Sequence, residues 1–244
     1  MMISYKNFVC GYKDKTLFKI QNLDIESNLC ILGANGSGKS TFAKATCQLI
    51  EYDGDIFHNS KNLKHLKKQA LAKLISYIPP KLVSYDEYIS VKEFVLLGRF
   101  IYKDFFKEYT QKDKNKVNQV LESLQIQHIK DSYLNTLSSG ESQLVLFAQS
   151  LVQESQMIIF DEPTANLDPR NSKIIATVIK KLQKDFNTLV ITHDLALASF
   201  LNSPILFIKD SKTNFYKNPK DFFKDSELKR LYEVDFKEMA IVYE

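Results

Sequence analysis

The sequence predicts an α/β fold with a mostly parallel sheet and an inserted helical sub-lobe, on three observations. Short apolar or β-branched runs alternate with helical periodicity towards both ends of the chain. A glycine-rich loop lies between a strand pattern and a helix pattern. From Val91 to Gln153 three helical patterns follow one another with no strong strand between them.

Taken in order, Ile3 to Cys10 and Leu17 to Ile25 read as strands joined by a polar turn, and Leu29 to Leu32 is an apolar strand ending at Gly33. Lys39 to Ile50 reads as a helix. Lys61, Lys64, Lys67 and Lys68 surround Leu63, Leu66 and Leu71 at helical spacing, the pattern of a solvated helix face. Leu74 to Ile78 reads as a buried strand stopped by Pro79 and Pro80, which cannot donate to a ladder. Helices are expected over Val91 to Arg99, Thr110 to Leu124 and Glu141 to Gln153. Strands over Met157 to Phe160, Thr188 to Thr192 and Ile205 to Ile208 then alternate with helices over Ser172 to Lys184 and Leu195 to Leu201. Asn218 to the end is charged and aromatic, with a helix over Asp225 to Tyr232.

Composition narrows the class. A chain of 244 residues with 44% hydrophobic and 25% charged residues folds around a core. The formal charge of +4, from 33 basic and 29 acidic residues spread along the chain, gives no argument for nucleic acid. Cys10, Cys30 and Cys47 have neither paired spacing nor a histidine cluster, which speaks against disulfides or zinc and for a reducing compartment. Met-Met-Ile-Ser-Tyr-Lys lacks the pattern of a secretory signal, and no apolar run approaches the roughly 20 residues that span a bilayer. Any tie to a membrane is therefore expected to run through a partner.

Gly33-Ala34-Asn35-Gly36-Ser37-Gly38-Lys39-Ser40-Thr41 fits glycine, four residues, then Gly-Lys-Ser/Thr, in the strand-to-helix context that this phosphate-binding pattern requires. Glycines let successive amides face one anion, and the helix aims its positive end at it. Lys39 suits the β and γ phosphates, Ser40 a magnesium ion, and Thr41 the first phosphate. A glycine-rich turn that matches by chance is the bland alternative.

Met157 to Phe160 delivers Asp161 and Glu162 at a strand's C-terminal end, where ligands of parallel sheets gather. Asp161 is suited to hold magnesium through water, and Glu162 to polarise the water that attacks the γ phosphate. A capping acid pair before Pro163 would explain one acid only.

With these, Leu137-Ser138-Ser139-Gly140-Glu141 resembles the signature motif of the ATP-binding-cassette family. In the same order, Asn166-Leu167-Asp168 looks like that family's interface-crossing loop, Thr192-His193-Asp194 places His193 as the switch histidine, and Tyr12 resembles the aromatic that stacks on adenine. Taken singly, a histidine at a strand end is usually a satisfied polar group and a tyrosine near the N-terminus usually core.

The resemblance implies an ATPase with ATP and Mg2+ as ligands and a nucleotide-binding core over 1–80 and 155–215. It also implies an N-terminal antiparallel β subdomain, a helical subdomain over 81–154, and an appendage over 216–244. It implies a head-to-tail homodimer in which Ser138, Ser139, Gly140 and Glu141 of one copy close over the nucleotide of the other. Transmembrane permease subunits and, through them, a substrate-binding protein are the implied partners, with no nucleic acid and no direct membrane insertion. The implied place is cytoplasmic, peripheral on the inner face of the cell membrane.

Ser90-Val91-Lys92-Glu93-Phe94-Val95-Leu96-Leu97-Gly98-Arg99, the Glu141 ending and the tail Leu231-Tyr232-Glu233-Val234-Asp235 resemble importers of iron chelates, haem or cobalamin. Three positions depart from the family pattern. Pro80 stands where a glutamine touches the metal and the attacking water, Ser139 replaces a glycine, and Leu144 stands where basic residues are common. Two other readings share the motifs: a nucleic-acid-associated cassette ATPase, and a regulatory subunit that binds ATP without cleaving it.

Overall fold

The computed structural model describes residues 3–12, 15–83, 88–103 and 107–233. In chain order its elements are β1 (Ile3–Tyr12), β2 (Lys15–Ile25), β3 (Leu29–Gly33), α1 (Lys39–Thr46), β4 (Asp53–His58), β5 (Lys61–Asn62), α2 (Lys68–Leu74) and β6 (Ile75–Ile78). They continue with α3 (Val91–Leu96), α4 (Gln111–Ser123), α5 (Ser139–Val152), β7 (Met157–Asp161), α6 (Pro169–Leu182), β8 (Asn187–Ile191) and α7 (Leu195–Leu201). The last are β9 (Ile205–Lys209), β10 (Lys212–Tyr216), α8 (Pro219–Phe222) and α9 (Asp225–Tyr232). The chain divides into two compact units, Met1–Leu66 with Ile179–Glu244, and Lys67–Val178.

In the first unit β1 pairs antiparallel with β2 and with β4, while β3 pairs parallel with both β8 and β9, and β10 closes antiparallel on β9. Every residue of β3 is buried, as a strand between two parallel neighbours must be. An aromatic cluster joins the antiparallel sheet to α1. Phe42 of α1 lies 4.8 Å from Tyr5, 5.5 Å from Phe8 and 6.1 Å from Phe18, ring centre to ring centre. The Tyr5 hydroxyl shares a hydrogen bond of 3.0 Å with Thr46 at the far end of that helix. These buried rings fix the helix that leaves the phosphate loop.

The second unit holds β6 and β7 as a parallel pair, with α2 running into β6 and α3, α4 and α5 beside them in sequence. Three helices begin with reciprocal capping boxes: Ser90 with Glu93 at α3, Thr110 with Asp113 at α4, and Ser138 with Glu141 at α5. Arg99, 5% exposed, ties the lobe together. Its Nε donates to Asp113 at 2.9 Å, and its Nη1 to the Val152 carbonyl at 2.7 Å and to Glu154 at 2.6 Å. Its guanidinium sits 4.0 Å over the Tyr102 ring. Lys116 joins the same network through Glu154 at 2.6 Å.

Several sequence expectations shift. α1 ends at Thr46 rather than Ile50, because Gln48 turns left-handed at φ 54 and Leu49 N–H bonds back to the Lys44 carbonyl at 2.8 Å, a Schellman-type closure. The lysine-rich stretch is not one helix: Lys61 lies in β5, Leu63–His65 is a 3-10 turn, and α2 starts only at Lys68. Leu74 closes α2 instead of opening β6. β4, β10 and α8 go unpredicted; β4 opens on Asp-Gly-Asp, and no residue of β10 is buried, so neither carries an apolar signal. α9 falls where expected. Val234 and Asp235 of the tail lie outside the described residues.

Candidate functional site

The phosphate loop is shaped by its backbone. Gly33 approaches β9 so closely that a Cβ would lie 2.3 Å from the Ile208 carbonyl oxygen. Gly38, the N-cap of α1, has φ 99, and a Cβ there would meet Phe18 at 2.9 Å, so conformation and space both demand glycine. No side chain caps α1 and its first turn holds no acid, which leaves its amide end suited to an anion. Lys39 is 5% exposed and folds back over the loop, donating to the Gly33 carbonyl at 2.8 Å and the Ala34 carbonyl at 3.1 Å. Ser37 Oγ is buried with no hydrogen-bond partner among the described residues, a polar atom that a phosphate oxygen would satisfy. Asn35 and Gly36 are exposed, Ser40 is half-buried and Thr41 is buried. The loop therefore fits a magnesium nucleotide by its chemistry.

A cavity of about 430 Å3 opens beside the loop, lined by Lys15 and Leu17, by Ser37, and by Phe207, Lys209 and Tyr232 among others. Tyr12 ends β1, and its side chain lies outside the described residues. His193 follows β8, whose Ile191 pairs with Ile31 of β3, so the histidine and the phosphate loop leave neighbouring parallel strands at the same edge. It is exposed between two pinned residues. Thr192 N–H donates to the Ile31 carbonyl at 3.0 Å, and Asp194 caps α7 by accepting from Ala196 and Leu197 at 2.9 and 3.1 Å.

In the second unit Asp161 ends β7 at 1% exposure and accepts a hydrogen bond of 2.7 Å from the Tyr77 hydroxyl. Glu162 follows in left-handed backbone at φ 49. A non-glycine residue there carries about 1–2 kcal/mol of strain.

Ser138 and Ser139 are exposed at the start of α5. Glu141 accepts from Ser138 N–H at 2.9 Å and from its hydroxyl at 2.6 Å, which holds the Glu141 carboxyl below its usual range. Gly140 is buried against α6, where a Cβ would lie 2.7 Å from Asn171 Oδ1. Asn171 in turn donates to exposed Asp168 from its backbone at 2.8 Å and from its side chain at 2.6 Å, and the backbone bond leads in holding the Asp168 carboxyl low. Gly140 and Asp168 thus both meet Asn171.

The first unit therefore gathers Gly33 to Thr41 and His193, and the second gathers Asp161 with Glu162 and the 138–141 segment with Asp168. Sequence reasoning missed Tyr77 and Asn171. Asn171 was findable, since an aspartate at a helix start accepts from the backbone N–H three residues on. The cysteines are bystanders: Cys10, Cys30 and Cys47 are free, and burial pushes each thiol up to about 12.

A family model described as ABC transporter matches residues 21–165. An ABC transporter ATP-binding protein of Haemophilus influenzae is 34% identical over 90% of this chain and 84% of its own length. A probable iron chelatin transport ATP-binding protein of Helicobacter pylori is 33% identical over 87% of this chain and 85% of its own. Among solved structures, a metal-chelate-type ABC transporter in an inward-facing conformation superposes with TM-score 0.83 at 24% identity, over 96% of this chain and 89% of that one. That likeness confirms the fold, a mixed sheet with parallel strands, an antiparallel N-terminal sheet and helices. No helix among the described residues is long and apolar enough to cross a membrane. The family match over more than half of the chain and the relative at 34% identity make the conclusion plain: this chain belongs to the ABC transporter family, as an ATP-binding and ATP-hydrolysing subunit that uses ATP with Mg2+.

Proposed function

We propose that the chain energises import of an iron chelate, haem or cobalamin, working as a head-to-tail homodimer under a pair of transmembrane permease subunits on the inner face of the cell membrane. The reading rests above all on the phosphate loop, with its left-handed Gly38, its folded-back Lys39 and the orphaned Ser37 hydroxyl. Import of a metal chelate draws support from the iron chelatin relative and the metal-chelate-type structure, and a substrate-binding protein would then choose the cargo.

In this reading residues 1–80 and 155–215 form the nucleotide core, 81–154 the helical part that meets the permease, and 216–244 an appendage. The loop amides and Lys39 bind the phosphates, Ser40 and Asp161 hold magnesium, which neutralises phosphate charge when bound, and Tyr12 stacks on adenine. Base and ribose take the cavity beside the loop, whose size lies in the usual range for small-ligand sites. Glu162 accepts the proton of the attacking water as general base, and His193 contacts the γ phosphate side. Ser138, Ser139, Gly140 and Glu141 of the second copy offer another helix N-terminus, and Asp168 lines the contact between copies. Exposed Leu97 and Phe100 give the helical part apolar side chains for the permease.

Phosphate release by the purified chain tests the chemistry. Wild type should hydrolyse ATP, and Glu162→Gln should be slower by roughly a hundredfold or more while still binding ATP. Equal, near-zero rates for the two would favour a regulatory subunit instead. A salt-sensitive affinity for DNA or RNA would favour the nucleic-acid reading.

A further inference from the structure

Tyr77 has no role in the reading above, yet it makes a direct contact with the acidic pair. β6 and β7 run parallel with Tyr77 opposite Ile159, so Tyr77 and Asp161 fall on the same face of the pair, two residues apart along β7. A phenol is long enough to cover that diagonal, and the hydroxyl reaches Asp161 Oδ2 at 2.7 Å. Asp161 is 1% exposed, so its orientation is set by protein neighbours rather than by bulk water. From Tyr77 through Ile78 and Pro79 to Pro80, the tyrosine hydroxyl is the one side-chain donor that the strand exit offers.

We propose that Tyr77 is a positioning residue for magnesium: by donating to Oδ2 it sets the rotation of the Asp161 carboxylate and so the direction in which its other oxygen meets the metal's water shell. This rests on the reading of Asp161 as the magnesium-side acid. A hydrogen bond to the carboxylate of a metal site tunes affinity through orientation, whereas the phosphates are held by another part of the chain. Tyr77 should therefore affect the metal's contribution to nucleotide binding and leave the metal-free contribution alone. With Pro80 in place of an amide side chain, this hydroxyl carries more of the task than it would beside a glutamine.

The test uses the full chain and a fluorescent ATP analogue, titrated first in EDTA and then with rising Mg2+, for wild type, Tyr77→Phe, Asp161→Asn and the double variant. Tyr77→Phe keeps the ring and removes only the donor. Its EDTA affinity should match wild type, and its half-saturating Mg2+ should rise roughly tenfold or more. In the double variant the tyrosine change should add nothing to the loss caused by Asp161→Asn. The proposal is overturned if Tyr77→Phe responds to Mg2+ as wild type does, or if its effect adds in full to that of Asp161→Asn, which would mark a packing role. If Asp161→Asn itself responds to Mg2+ normally, the metal reading of Asp161 fails and takes the proposal with it. Absence of any binding in wild type would instead strike at the nucleotide site as a whole.

Discussion

In the unit formed by Met1–Leu66 and Ile179–Glu244, helix α1 is held by rings: Tyr5, Phe8 and Phe18 of the antiparallel strands close around Phe42. In Lys67–Val178 the helices share an apolar core that includes Val95, Leu121 and Phe147, and ions and caps add to it, with Arg99 bonded to Asp113, Val152 and Glu154 and a capping box at the head of α3, α4 and α5. A phosphate cradle is made of backbone amides, whose positions must not drift, and close-packed rings hold them at any pH. In the proposed reading residues 81–154 meet the permease, and directional contacts there, which respond to charge, can be remade.

The largest effect expected lies in the cradle. Lys39→Ala removes the cation from a loop whose carbonyls it now covers, and hydrolysis should fall by roughly a hundredfold or more, read by phosphate release. Next come two stability changes that set the units against each other. Phe42→Ala should cost about 3–5 kcal/mol by opening a cavity at the centre of the ring cluster. Arg99→Ala should cost a similar amount, about 3–5 kcal/mol, by leaving nearly buried Asp113 without its cation. Hydrogen exchange should locate the first loss in the ring-held unit and the second in the helical one. Equal loss in both units from either variant would break the contrast.

Acid should sharpen it. Burial works against the ionised form of Asp113, but hydrogen bonds from Thr110 and Arg99 outweigh it and hold the carboxyl low. Burial likewise opposes ionisation of Glu154, and Lys116 and Arg99 outweigh it. Each folded value lies below the unfolded one, so the stability these acids contribute is complete above the ordinary carboxylate range near pH 4 and is lost as pH falls through the folded values. The helical unit should therefore lose exchange protection before the ring-held unit as pH drops below about 4. The smallest effect is at Pro80, exposed beyond β6, where Pro80→Gln should raise the hydrolysis rate by supplying the amide that proline lacks. An unchanged rate with an intact fold would show that the position does not limit turnover.

The same contrast explains what could be read from the sequence. The Gly33 to Thr41 loop was legible because its geometry is local: glycine spacing, one lysine and a strand before a helix determine it. The 138–141 segment was legible by its resemblance to the family motif, and its capping box starts the helix at Ser139, two residues before the expected Glu141. Asp161 and Glu162 were legible as strand-end acids, but the Tyr77 contact was not, because it exists only once β6 and β7 pair in that register. The Arg99 network was hidden for the same reason: it joins residues 14, 53 and 55 positions apart in sequence. β4 escaped because its pairing with β1, not its own apolar content, makes it a strand.

The claim on which the account depends is that the phosphate loop and the Asp161–Glu162 pair serve one magnesium nucleotide that a second copy completes. Sedimentation of Glu162→Gln with saturating ATP and Mg2+ tests it most directly. The account predicts a monomer that becomes a dimer on adding ATP with Mg2+ and stays monomeric when Lys39→Ala is added to the same chain. A chain that binds the nucleotide yet remains monomeric at every ATP concentration would contradict it.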